Sequence, residues 1–140
     1  RYDSEGLLGQ VRVYDYLETS GKAMRLLLIN GIPQTHAAIN YIPLSAWPYP
    51  HRLAALSSIK NKNGNALLIG MGGGSVAMEL KNQGFNLDIV EIDKRMPEVA
   101  KNFFAFQLQN INIFIDDGRH FIKTANKKYS LIIIDVLNGE

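Results

Sequence analysis

The stretch ALLIGMGGGSVAMELKNQGFNLDIVEID, from Ala66 to Asp93, decides the fold of this chain. Its pattern indicates a buried strand, a glycine-rich turn, a helix and a second buried strand, in residues 66–69, 70–75, 76–83 and 87–90. This order is typical of a βαβ unit, in which the turn lets a ligand approach the backbone and the helix start presents free N–H groups. Glu91 follows about 20 residues after the turn, where a carboxylate can accept hydrogen bonds from both hydroxyls of a ribose. The stretch therefore predicts a nucleoside site. The turn glycines of that site are Gly70, Gly72 and Gly74.

Length and composition restrict the class of protein. The chain has 140 residues, of which 46% are hydrophobic and 20% charged, and a net charge of +2, which is the balance of one globular domain. No apolar run approaches the ~20 residues that a membrane-spanning helix needs. The basic residues are scattered, so no nucleic-acid partner is expected. Because cysteine is absent, disulfides and thiolate metal sites are excluded, and a cytoplasmic location is expected.

Two further classes of site are not supported by the sequence. His36, His51 and His120 lack the spacing of metal ligands, so no metal is expected. Ser75 does not lie in a G-x-S-x-G sequence, which argues against a serine hydrolase. The chain begins with Arg1 rather than methionine, and we expect it to be an excised or processed part of a longer protein.

The rest of the chain adds a hairpin region before the βαβ unit and strand–helix pairs after it. Residues 1–40 are predicted to be an N-terminal β-hairpin region and residues 41–140 a Rossmann-like nucleoside-binding domain. Strands are predicted at 11–16, 24–30, 111–115 and 131–136, and helices at 51–59, 97–107 and 119–125. The proline-rich residues 41–50 are predicted to be a loop. The alternation of strands and helices predicts an α/β fold with a parallel sheet.

The last predicted strand raises a question about the edge of this sheet. Its apolar run, residues 131–134, is typical of a strand covered on both faces. As the last strand of the chain it would instead lie at an exposed edge, which native proteins normally cover. Either further chain follows Glu140 or a partner covers this edge. We favour the first, and we expect C-terminal strands to be missing.

Three aspartates follow predicted strands at the edge of the sheet where Glu91 lies. Asp116 and Asp117 follow one strand, and Asp135 follows the next. A carboxylate at the first place can accept a hydrogen bond from an adenine amino group, or it can cap the helix that begins near Arg119. Asp135 can orient or deprotonate a substrate amine, or it can be a turn residue at the end of its strand. The shared edge favours the functional interpretation of Asp135.

Seven motifs together resemble the spermidine synthase family, polyamine aminopropyltransferases built on the class I methyltransferase fold. They are residues 9–13, 30–35, 49–51, 68–74, 90–93, 116–118 and 133–135. The resemblance extends over nearly the whole chain. It implies that a neutral amine attacks the aminopropyl carbon of decarboxylated S-adenosylmethionine and that methylthioadenosine leaves. It also implies a small-molecule amine acceptor as partner. A homodimer is one candidate assembly, but the sequence does not determine the oligomeric state.

The resemblance also implies roles for single residues. Glu91 would hold the ribose hydroxyls, Asp117 the adenine amino group, and Ile92 would pack on the adenine face. Gln34 would contact the nucleoside from the N-terminal region. Asp135 would accept the proton of the attacking amine. The implied site therefore joins both regions of the chain.

The part of the implied site that would bind the amine groups departs from the family pattern at three positions. Gly73, Asn138 and His51 stand where the family usually has carboxylates. Tyr49 is expected to line this part of the site, or to pack over the sheet edge. Burying an ammonium group without a carboxylate partner costs several kcal/mol. We therefore expect an altered polyamine specificity beside a complete nucleoside site.

Three alternative functions are also compatible with the glycine turn and Glu91. Gly73 leaves room for the carboxylate of S-adenosylmethionine itself, which would make the chain a methyltransferase or a ligand sensor. The opening from Glu5 to Gln10 resembles synthase-like domains that follow membrane-spanning segments, so the chain can also be the non-catalytic cytoplasmic domain of a membrane protein. An NAD-dependent oxidoreductase fits the nucleoside site but leaves the N-terminal hairpins and residues 116–118 without a role.

Overall fold

The computed structural model describes residues 1–42, 44–60, 63–107 and 109–136, so Asn138 lies outside the described part. Eight strands and four helices follow each other there. They are β1 Tyr2–Gly6, β2 Gly9–Leu17, β3 Ala23–Ile29, β4 Ile32–Ala38, α1 Pro48–Ser57, β5 Asn65–Ile69, α2 Ser75–Asn82, β6 Asn86–Glu91, α3 Met96–Phe104, β7 Asn112–Ile115, α4 Gly118–Thr124 and β8 Leu131–Ile134. Within these ranges no helix is long and apolar enough to cross a membrane.

The N-terminal strands form an antiparallel sheet in the order β1-β2-β3-β4. On β2 the buried residues Val11 and Val13 alternate with the exposed Arg12 and Tyr14, as expected for a strand with one face on the core. Their side chains belong to the same apolar core as the helices of the α/β part. The predicted hairpin region is therefore confirmed and packs against the α/β layers. The boundary between residues 40 and 41 stays a prediction.

The first strand, β1, was missed by the sequence analysis. It pairs with β2 from Tyr2↔Val13 to Gly6↔Gly9, and only residues 7 and 8 lie between the paired glycines. Asp3, Glu5 and Gly6 are exposed, and Tyr2 and Ser4 are partly buried. Tyr2 is the one apolar residue of this strand, so its sequence contains no alternation of apolar and polar residues.

The second sheet is parallel, in the order β7-β6-β5-β8. Residues 66–69 of β5 are all buried, and α2 and α3 contribute Leu80, Val99 and Phe104 to the adjoining core. This arrangement confirms the predicted α/β fold. Within the described part β8 forms one edge of the sheet, where Ile134 is 64% exposed.

Most helix and strand ends differ from the prediction by one to three residues. Helix α1 begins at Pro48 rather than at residue 51, so the last three residues of the predicted loop are helical. Proline lacks the N–H that a first helical turn leaves unpaired, and it is well tolerated there. Helix α3 ends at Phe104 because Ala105 adopts a left-handed conformation with φ of 51°. Strand β8 ends at Ile134, two residues earlier than predicted.

A buried carboxylate lies at the start of β6, at the opposite end of the strand from Glu91. Asp88 is 2% exposed. Its oxygens accept hydrogen bonds from Lys127 Nζ at 2.7 Å, Tyr129 Oη at 2.8 Å and Asn112 Nδ2 at 2.8 Å. Burial alone would raise the pKa of Asp88, but these donors lower it below its ordinary value. A fully paired carboxylate of this kind holds neighbouring strands together.

Candidate active site

The carboxyl ends of β5, β6 and β8 surround a cavity of about 220 Å³. Six of the predicted site residues line it together: Gln34, Gly70, Gly72, Glu91, Ile92 and Asp135. The side chain of Ile92 is 55% exposed. Parallel strands carry their C-terminal residues to one edge of the sheet, which explains why residues far apart in sequence meet here.

The glycine turn is shaped by close contacts to two other segments. Gly70 has φ of 88°, and a Cβ at this position would lie 2.2 Å from the carbonyl oxygen of Asp135. Gly74 has φ of 87°, and a Cβ there would lie 2.5 Å from Cδ2 of Phe106. Side chains other than glycine are strained at such φ values and would also clash. The turn can therefore pack against Asp135 after β8 and against Phe106 after α3 only with glycine at these positions.

Glu91 is held in place by backbone donors on both of its oxygens. Oε2 accepts a hydrogen bond from Met71 N at 2.9 Å, and Oε1 accepts one from Asp93 N at 2.9 Å. The side chain is 7% exposed, and burial raises the pKa of Glu91 although the backbone N–H groups of Asp93 and Met71 oppose this. An ionised carboxylate offers about four acceptor positions. Met71 N and Asp93 N each use one of them, and the remaining acceptor capacity is available to a ligand in the cavity.

Asp135 lies between the main cavity and a smaller one. The smaller cavity, of about 20 Å³, is also lined by Gln34, Thr35, Tyr49 and Ser75. This is the volume of about one water molecule. Tyr49 Oη donates a hydrogen bond to Asp135 Oδ2 at 3.3 Å. Burial raises the pKa of Asp135 despite this hydrogen bond, and it raises the pKa of Tyr49 as well.

Asp116 and Asp117 form hydrogen bonds with the first turn of helix α4. Asp117 Oδ1 accepts hydrogen bonds from Arg119 N at 2.8 Å and His120 N at 3.2 Å, which confirms the N-cap interpretation and lowers the pKa of Asp117. Asp116 Oδ2 pairs with His120 Nδ1 at 2.8 Å. Neither aspartate is among the described residues that line the two cavities. Contact of either with an adenine amino group stays a prediction.

The space beside Gly73 is filled by Thr35. Gly73 N donates a hydrogen bond to Thr35 Oγ1 at 2.8 Å, and a Cβ on Gly73 would lie 2.7 Å from Thr35 Cγ2. Thr35 is 5% exposed. Thr35 therefore lies directly beside Gly73, and room for a donor carboxylate at this place stays a prediction. No local pattern around residue 73 contained this information, since Thr35 comes from β4.

His51, the third departure from the family pattern, pairs with two acceptors. Its Nδ1 lies 2.8 Å from Glu79 Oε1 and its Nε2 lies 3.1 Å from the carbonyl oxygen of Ser45. The Ser45 carbonyl, followed by the Glu79 carboxylate, raises the pKa of His51 against the effect of burial. Only the imidazolium can donate to both partners. His51 therefore links the segment before α1 to helix α2.

This link predicts a pH dependence of stability. The folded-state pKa of His51 is raised above 6.5, so its contribution is complete below about pH 6.5 and is lost as the pH rises through the raised pKa. The imidazole is 45% exposed, which limits the contribution to less than about 1 kcal/mol. Urea unfolding of the wild type and His51→Gln measures it. The stability difference should be larger at about pH 6 than at about pH 9. A difference that is equal at both values, or larger at the higher one, would contradict the linkage.

Within the described ranges no group of three His, Cys, Asp or Glu residues is close enough to hold a metal ion. The sequence analysis missed three residues near the main cavity, Leu8, Asp93 and Arg95. Leu8 and Asp93 line it, and Arg95 binds Asp93 with an Nη2 to Oδ2 distance of 2.6 Å. A signal was available for Leu8, because two leucines between glycines are unusual in a two-residue hairpin turn.

Comparison with known proteins identifies the family of this chain. A family model described as the spermine/spermidine synthase domain matches residues 48–140. The polyamine aminopropyltransferase of Thermoplasma volcanium is 40% identical over 87 residues, which are 58% of this chain and 32% of that protein. That of Thermoplasma acidophilum is 32% identical over 130 residues, which are 83% of this chain and 43% of that protein. The chain thus spans less than half the length of these relatives.

A solved structure agrees with this match. The crystal structure of a spermidine synthase in complex with the transition state analogue AdoDATO superposes with a TM-score of 0.76, at 19% identity, over 98% of this chain and 46% of that chain. This likeness concerns the fold, and it confirms the class I methyltransferase-like architecture preceded by a β-hairpin sheet. The chain therefore belongs to the spermine/spermidine synthase family.

Proposed function

We propose that this chain is the donor-binding part of an aminopropyltransferase. It would bind a decarboxylated S-adenosylmethionine-type nucleoside and promote transfer of the aminopropyl group to a small amine. The observation that carries the proposal is that Glu91 and Asp135 line one cavity, one with free acceptor positions and the other with a raised pKa. The names of the two Thermoplasma relatives support the reaction. We also place the reaction in the cytoplasm.

The nucleoside half of the proposal assigns each group a role. Glu91 accepts hydrogen bonds from the two ribose hydroxyls with the positions that Met71 N and Asp93 N leave free. The exposed side chain of Ile92 packs on the face of the base. Gln34 reaches the nucleoside from β4. The glycines of the turn let the sulfonium end of the donor lie against the backbone.

The chemical half is a displacement at carbon. The amine nitrogen forms a bond to the aminopropyl carbon while the bond from that carbon to the sulfonium sulfur breaks, and both electrons of that bond stay on sulfur. Methylthioadenosine leaves as a neutral thioether. Asp135 takes one proton from the attacking nitrogen, and burial suits it to this role because a raised pKa makes the carboxylate a stronger base. The remaining contribution is to hold the two reactants in line.

A calorimetric titration tests the nucleoside half. The wild type is expected to bind decarboxylated S-adenosylmethionine, and Glu91→Gln is expected to bind it about 10–100-fold more weakly. An amide lacks the charge that strengthens hydrogen bonds, and its NH₂ group would face a backbone N–H. Glu98→Gln is the matched control, because Glu98 is an exposed carboxylate on α3. Unchanged affinity of the Glu91 variant would place the ribose elsewhere. Equal or tighter binding of S-adenosylmethionine itself would favour methyl transfer or sensing over aminopropyl transfer.

A further inference from the structure

The turn between β1 and β2 carries two exposed leucines. It consists of Leu7 and Leu8 between the paired residues Gly6 and Gly9. Leu7 is fully exposed and Leu8 is 43% exposed. The left-handed position of this hairpin is taken by Gly9, with φ of 92°, and neither leucine has a positive φ. Two exposed leucines at the tip leave apolar surface in water, which is unfavourable unless an apolar group covers it.

Arg95 holds this turn from one side. Its Nη1 donates a hydrogen bond to the carbonyl oxygen of Ser4 at 3.0 Å, and its Nη2 donates to that of Gly9 at 2.9 Å. The same guanidinium binds Asp93, with Nη2 to Oδ2 at 2.6 Å and Nε to Oδ1 at 2.9 Å. The two side chains are 15% and 7% exposed. One buried ion pair therefore fixes both strands that flank the turn.

Asn30 holds the turn from the other side. Its Oδ1 accepts a hydrogen bond from Gln10 N at 2.8 Å, and its Nδ2 donates to the carbonyl oxygen of Leu8 at 3.4 Å. A Cβ on Gly9 would lie on top of this side chain, and Gly9 has φ of 92°. The two leucines are thus presented by a backbone that is bound on both flanks.

The same contacts connect the turn to Glu91. Asp93 N donates to Glu91 Oε1 at 2.9 Å, while the side chain of Asp93 binds Arg95. Glu91, Asp93, Arg95 and the turn therefore form one continuous set of hydrogen bonds. A displacement of the turn would therefore displace the Glu91 carboxylate, and a displacement of the carboxylate would displace the turn.

The leucines border an apolar cavity that continues the site. This cavity, of about 490 Å³, has an apolar part formed by Leu7, Leu8, Ile92 and Ile115, and it is also lined by the charged residues Glu5, Asp93, Lys94 and Arg95. Leu8, Ile92 and Asp93 line both it and the cavity that contains Glu91. A ligand whose ribose is held by Glu91 can therefore extend a flat apolar group between Ile92 and the turn.

We propose that the Leu7–Leu8 turn is an apolar cover for the base of the bound nucleoside, and that Arg95 is the positioning residue that holds it there. This inference rests on the proposed nucleoside site. Leu8 contacts the base on the side opposite Ile92, and Arg95, which also lines this cavity, acts through its hydrogen bonds to the turn.

Calorimetric titration with methylthioadenosine tests the cover directly. Leu8→Ser is expected to bind this probe about fivefold more weakly than the wild type, because the base loses an apolar contact. Leu17→Ser is the matched control, since Leu17 is an exposed leucine, 72% exposed, at the far end of β2. It should bind within about twofold of the wild type.

Arg95 is tested by a double-mutant cycle. Arg95→Met should weaken binding about tenfold, and Arg95→Lys should recover part of this loss because an ammonium can still bind Asp93. If Arg95 acts through the turn, the double variant Leu8→Ser with Arg95→Met should bind within about twofold of Arg95→Met alone. A residue that only stabilises the fold would give losses that multiply. Thermal unfolding of each variant shows whether it is folded, and Leu8→Ser changes only an exposed side chain.

The outcomes separate this inference from the function on which it rests. Failure of the wild type to bind methylthioadenosine would overturn the nucleoside site, and the cover with it. Normal binding by the wild type together with unchanged binding by Leu8→Ser would overturn the cover alone. Losses that multiply in the double variant would overturn the role of Arg95.

Discussion

Replacing Asp135 with asparagine is expected to lower kcat by about 10²–10⁴-fold. Asparagine keeps the shape of the side chain and can still accept the hydrogen bond from Tyr49 Oη. It cannot take a proton from the attacking amine. Release of methylthioadenosine from the decarboxylated donor measures the effect, and a titration with the same donor should show affinity within about threefold of the wild type. A variant that keeps its turnover would remove Asp135 from the reaction.

The pH profile and Tyr49→Phe refine this prediction. Burial raises the pKa of Asp135 above its ordinary value of 3.8, so kcat/KM should fall as the pH decreases through that raised pKa. The Tyr49 hydroxyl stabilises the carboxylate and opposes the rise. Tyr49→Phe should therefore shift the acid limb of the profile to higher pH, and Asp135→Asn should abolish that limb. If the decrease in kcat/KM at low pH is unchanged in both variants, it reports the titration of a group other than Asp135.

Replacing Gly70 with alanine is expected to destabilise the fold by about 2–5 kcal/mol, which lowers Tm by roughly 6–20 °C. Two terms add. The residue has φ of 88°, and a Cβ there would lie 2.2 Å from the carbonyl oxygen of Asp135. Backbone cannot turn away as a flexible side chain can, so the end of β8 must move. Because Asp135 moves with it, turnover should fall further than the loss of stability explains.

Gly31→Ala is the matched control that separates the steric clash from the backbone strain. Gly31 has φ of 78°, close to that of Gly70, and nothing lies within 4 Å of a Cβ placed there. It therefore measures the backbone strain alone, which is about 1–2 kcal/mol. Thermal unfolding of both variants separates strain from contact. Equal losses of stability would mean that the contact between the glycine turn and Asp135 contributes nothing.

The architecture of the parallel sheet could be predicted from short stretches. Residues 66–69 are all apolar and all buried in β5, and residues 76–83 were predicted as the helix that the structure forms as α2. Both patterns arise from neighbours in sequence, because burial on two faces and helical periodicity act within a few residues. The common edge of Glu91 and Asp135 followed from chain direction in a parallel sheet.

The part of the site that would bind the amine groups could not be predicted in the same way. Gly73 is next to Thr35, which is 38 residues away in sequence. The Leu7–Leu8 turn follows an edge strand without an apolar pattern, and Arg95 reaches it from beyond β6. These contacts depend on how the antiparallel sheet lies against the α/β layers.

Two carboxylates on one strand show which properties of a site local sequence does not determine. Asp88 and Glu91 both follow apolar residues of β6, and both are buried. The sequence determines the strand, its direction and therefore the edge at which Glu91 emerges. Only the tertiary structure surrounds Asp88 with Lys127, Tyr129 and Asn112 and leaves Glu91 with free acceptor positions in a cavity. The pKa and accessibility of a buried carboxylate are set by donors that arrive from distant segments, and no window of neighbouring residues contains them.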